Sequence, residues 1–169
     1  MKRNVLALTV LLALLLGAIT TSAPGNALAA SRAESHAHIF DKTRFAFHLG
    51  LAYFAFHHFV YAPYKSGEFK KGAPHRTLRI VKAGAALLVT YHELQKAYDI
   101  AKGSNSHILQ VLVKPLTGLI NQANSVKNKI SSGQYSDQEV ASLTNAANSF
   151  SKQATSGGIS IKDIPVPGL

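Results

Sequence analysis

The sequence predicts an all-α protein of the four-helix type: two helical hairpins behind an N-terminal export signal. Three observations carry that expectation. Apolar residues in the later part of the chain recur at spacings of three and four, which places them on one side of a helix. Helix breakers stand at Pro63, Gly103, Gly133 and Gly157-Gly158, and they cut the chain into helix-length pieces. Ser136-Asp137-Gln138-Glu139 has the spacing of a capping box, in which a Ser and a Glu satisfy each other's free backbone N–H groups at a helix start.

Residues 1–29 read as a cleaved signal peptide. Lys2 and Arg3 form a positive head, Val5 to Thr20 is apolar and uncharged, and Pro24-Gly25 precedes the small-x-small box Ala27-Leu28-Ala29. The apolar run is shorter than the ~20 residues that cross a hydrocarbon core, which favours cleavage over a retained anchor. The expected organisation is therefore signal peptide 1–29, helical domain 30–158 and an extended, Pro-containing tail 159–169.

Helix A is expected from about Ser35 to Ala62, with Pro63 stopping it. From Phe45 to Ala62 it has no Asp, Glu, Lys or Arg and is rich in Phe and Tyr, so it is apolar all round. Such a helix sits centrally in a bundle or touches lipid. A polar connection over 64–73 leads to helix B, which starts near Pro74 and ends at Gly103. Ser104-Asn105-Ser106 offers a cap for helix C, whose seam runs Leu109, Leu112, Leu116, Leu119, Ala123, Val126, Ile130. Pro115 should kink it. Helix D follows the capping box with Val140, Leu143, Ala147, Phe150 and Ala154.

Cysteine is absent, which excludes disulfides, thiolate chemistry, Cys-based metal sites and a lipidated Cys anchor. Together with the lack of an Asn-x-Ser/Thr glycosylation site, this favours a bacterial secreted or envelope protein. Without Lys2 and Arg3, sixteen Lys and Arg face eight Asp and Glu, a formal net charge of +8. A basic exported protein adheres to anionic polymers and lipid headgroups.

The cations are concentrated. Lys65, Lys70, Lys71, Arg76, Arg79 and Lys82 fall within eighteen residues, with His75 among them and Glu68 as the single acid. Arg76 and Arg79 occupy the first turns of helix B, where the helix dipole disfavours positive charge; a bound anion would relieve that and meet free N–H groups. These seven basic residues are the expected contact for an anionic polymer, a lipid headgroup or a partner protein. A solvated loop without a ligand is the plainer reading of the same residues.

Histidine supplies the second constellation. If helices A and B fold back about the 63–75 connection, residues whose numbers sum to about 138 face each other. His48 then lies within a turn of His92, and such a pair could ligate a transition metal or a haem. The alternative is a pair of packed core histidines. His92-Glu93-Leu94-Gln95-Lys96 falls short of the zinc-protease motif, because Lys96 stands where the second His must be. No Gly-x-Ser-x-Gly elbow or phosphate loop occurs, and the acids are scattered. The sequence thus reads as an exported, non-enzymatic, basic helical protein without a cofactor, which contacts an envelope partner and has no specific nucleic-acid recognition. Its alternatives are a His48/His92 haem or metal protein, and a protein that touches membrane through the aromatic helix 45–62.

Overall fold

A computed structural model describes the backbone of residues 24–169 and the side chains of residues 39–169. Five α-helical segments follow one another: α1 (Pro24–Phe56), α2 (Ala62–Lys65), α3 (Arg76–Gly103), α4 (His107–Ser131) and α5 (Asp137–Ser156), with a π-helical turn over His57–Tyr61 joining α1 to α2. No strand occurs among the described residues, and the protein is all-α there. The export signal expected over 1–29 lies outside the described residues, apart from the backbone of its last few positions.

Pro63 does not stop the first helix. The chain runs on through it to Lys65, and the π turn is the reason. A proline inside an α-helix has no N–H for the carbonyl four residues back, and its ring crowds that carbonyl. Here the Ala62 N–H reaches back five residues to the His57 carbonyl, so the helix widens by one residue just before the proline. Helix B also differs from expectation. Pro74 is outside it, and His75 takes a left-handed conformation (φ 54°) before α3 begins at Arg76.

α1 and α3 run antiparallel, and α4 and α5 complete one core. The aromatic helix gives Phe45, Leu49, Ala52, Tyr53, Phe56 and Val60 to that core. The seam of α4 is buried as the spacing predicted, and Val140, Leu143, Ala147, Phe150 and Ala154 of α5 meet it. Thr90 of α3 satisfies its buried hydroxyl on the Ala86 carbonyl at 2.8 Å and also reaches the Ala52 carbonyl of α1 at 3.3 Å. α4 continues through Pro115 as a single helix.

The helix ends are closed by local chemistry. The capping box forms, with the Ser136 N–H on Glu139 Oε2 at 3.0 Å and the Glu139 N–H on Ser136 Oγ at 3.4 Å. Glu139 also pairs with Lys129 and so ties the end of α4 to the start of α5. Gly133 (φ 72°) terminates α4 with the Gln134 N–H on the Lys129 carbonyl at 2.8 Å, a Schellman closure. Ser106 makes no side-chain cap on α4. Instead its N–H goes to Ser104 Oγ at 3.1 Å, and the Gln110 amide covers the last carbonyls of α3, at 2.6 Å from Ser104 O.

The tail 159–169 is non-helical and packed. Ile159 is buried, and the Ile164 N–H donates to the Gly50 carbonyl of α1 at 3.1 Å. Asp163 Oδ2 lies 3.1 Å from His57 Nδ1. Only a glycine permits this crossing: a Cβ at residue 50 would collide with the Lys162 carbonyl and come within 2.8 Å of Ile164. Gly50→Ala should therefore detach the tail while leaving the helices in place. Limited proteolysis should clip residues 159–169 faster in the variant, with an unchanged far-ultraviolet dichroism spectrum.

Candidate anion-binding cleft

The cleft begins with Phe69. Its side chain is buried although the surrounding loop is polar, and it packs edge-on against Tyr135, ring centres 5.8 Å apart. Its carbonyl accepts twice, from Arg76 Nε at 2.8 Å and from the Tyr135 hydroxyl at 2.6 Å. One residue thus pins the loop to α3 and to the turn between α4 and α5. Around it the loop bends with Gly67 (φ 76°) and Gly72 (φ 89°), where residues other than glycine would be strained. His75 accepts that strain at the loop's end, at a cost on the order of 1 kcal/mol.

Above Phe69 opens a cleft of about 510 Å³. Its lining includes four cations: Lys65 from the end of α2, Lys70 and Lys71 from the loop, and Arg76 from the start of α3. Tyr64, Phe69, Gly133, Tyr135 and Asp137 complete it. Arg76 holds its guanidinium in place through Nε, and Lys70 and Lys71 are exposed. Four cations around one concavity raise the local concentration of anions, and the low-dielectric walls concentrate that field. The Tyr64 hydroxyl donates to the Asp137 carbonyl at 3.3 Å.

Four of the seven basic residues singled out in the sequence meet in this cleft. The other three do not line it. Arg79 is taken up by Glu68, with Nε 2.5 Å from Oε2, a charge pair that lacks aligned hydrogen-bond geometry. His75 and Lys82 are exposed beyond the rim. The sequence does not tie the aromatic and acidic lining to the basic loop. Tyr135 and Asp137 lie more than sixty residues along the chain from Tyr64 and Phe69, and no local signal ties them to the basic loop.

The histidine pair resolves differently. His48 Nδ1 sits 2.6 Å from Glu93 Oε2, and Glu93 Oε1 is 3.3 Å from Lys96 Nζ. Glu93 is buried, while His92 is exposed. The α1–α3 register places residue 93 against His48, where a fold-back about 63–75 puts residue 90; the helix continues past Pro63, and the fold-back point lies further along the chain. Among the described residues no group of three or more His, Asp or Glu could hold a metal ion. Tyr53 donates its hydroxyl to the Ala147 carbonyl, and burial drives its phenol far above the ordinary tyrosine range. It is a packing residue that links α1 to α5.

Comparison with protein-family models, with curated proteins and with solved structures gives no match.

Two substitutions test this account. Phe69→Ala should lower the unfolding free energy by about 3 kcal/mol, by removing a buried ring, and should release the loop. A denaturant melt reads the first effect and amide exchange over 66–75 the second. Glu93→Ala removes the partner of a half-buried His48 and should cost about 2 kcal/mol. Glu93→Gln, which keeps an acceptor, should recover part of that loss in the same melt.

Proposed function

We propose that this chain is a small, basic, non-enzymatic helical protein that acts outside the cytoplasm, free or at the cell envelope, by holding an anionic group of a polymer, lipid or partner protein. The observation that carries the reading is the convergence of Lys65, Lys70, Lys71 and Arg76 on one cleft. The sequence alone offered only a run of cations. Their gathering around a concavity, with Arg79 neutralised by Glu68 and Arg76 steadied by Phe69, separates the cleft from a diffuse positive surface. The export signal in 1–29 and the lack of cysteine support an extracytoplasmic location without lipid anchoring.

Membrane contact in this reading is peripheral. No described helix is long and apolar enough to cross a membrane, and helix 45–62 spends one face on the core. Phe47 in that segment, and Phe40 before it in α1, remain exposed.

Co-sedimentation with vesicles containing anionic lipid, and with an anionic wall polymer, tests the proposal. Binding should weaken steeply as salt rises from about 0.05 to 0.5 M, since exposed charges are screened over a few ångströms there. Lys70→Gln, Lys71→Gln and Arg76→Gln combined should reduce affinity at least about tenfold, the effect of roughly 1.4 kcal/mol. Binding that is indifferent to both salt and the triple substitution would sink the idea.

A further inference from the structure

We propose that the cleft is built for a bipolar ligand, a phosphate ester that also carries an ammonium group. The inference rests on the anion-binding role proposed above and narrows its ligand class. The lining is chemically mixed. Lys65, Lys70, Lys71 and Arg76 share it with Tyr64, Tyr135 and Asp137. A ligand that was only anionic would gain from the four cations and meet a like charge at Asp137. Among the described residues the exposed Asp137 carboxylate enters no ion pair.

The tyrosines reinforce this mixed character. Both hydroxyls are already committed to backbone carbonyls, Tyr64 to Asp137 and Tyr135 to Phe69. With the hydroxyls so occupied, a ligand that touches these two side chains meets mainly their ring carbons. Aromatic surface beside a carboxylate attracts an ammonium through the ring quadrupole and the formal charge together. The hydrogen bond from the Tyr64 hydroxyl to the Asp137 carbonyl keeps the two residues side by side at the cleft. The volume of about 510 Å³ suits a headgroup-sized molecule.

Asp137 also has a local role, because an acid in the first turn of α5 complements the helix dipole. The two roles separate experimentally. Calorimetric titration of the purified protein with phosphoethanolamine and with glycerol 3-phosphate should show the first binding about tenfold tighter. Asp137→Asn should erase that preference and strengthen glycerol 3-phosphate, since a repulsive charge is removed. A purely dipolar role for Asp137 would lower the melting temperature and leave the preference intact, which overturns the inference. Tyr64→Leu, outside α5, should also reduce the preference, and guards against a folding defect in the Asp137 variant.

Flotation with vesicles of phosphatidylethanolamine against phosphatidylglycerol separates the two sources of this chemistry. Selective flotation with phosphatidylethanolamine assigns a lipid headgroup, and selectivity for the soluble ester alone assigns a free or polymer-borne group. Equal binding of the two soluble esters overturns the bipolar ligand and leaves the anion cleft standing. Binding of neither ester overturns both.

Discussion

The missing N–H of Pro63 governs more of this molecule than any other single group. A helix meeting that residue must stop, kink or widen, and here it widens over His57–Tyr61. Because the helix continues, Tyr64 and Lys65 ride on a rigid element and are presented to the cleft at fixed positions. Because it continues, the fold-back point also moves along the chain, and the buried acid opposite His48 is Glu93. The polar pairing inside the α1–α3 interface and the position of the basic lining share one cause.

The pinning of the loop by Phe69 is the complement of that constraint. A stretch with Lys70, Lys71 and two left-handed glycines has every reason to remain loose in water. One buried ring, and one carbonyl that accepts from both Arg76 and Tyr135, fix it against two different parts of the fold. The charges on the loop are thereby pre-positioned, and little ordering cost remains for binding to cover.

Amphipathic segments were readable from sequence wherever local pattern decides the outcome. The seam of α4, the capping box at Ser136 and the glycine closures at Gly133 and Gly158 follow from spacing and turn chemistry within a few residues. Register was not readable, because a π turn leaves no mark in a 3.6-residue period and a small shift in the fold-back point changes every partner across the interface. Helix B starts at Arg76 rather than near Pro74, since Pro74 suits a first turn equally well whether or not His75 turns left-handed. The cationic half of the cleft was legible as a cluster in the sequence. Tyr135 and Asp137 come from the α4–α5 turn and the start of α5, and they join Tyr64 only once distant segments meet.

The crossing of the tail over Gly50 also bears on the order in which the chain can fold. His57 and Asp163 are separated by 106 residues, among the longest loops this chain can close. Contacts of such separation form late, after the local helices and their nearest packing partners. Without residues 159–169 in place, the Gly50 side of α1 lacks its cover and Ile159 lies outside the core. The surface that receives Asp163 and Ile164 exists only once α1 has formed, so the docking of this segment follows the helix it crosses.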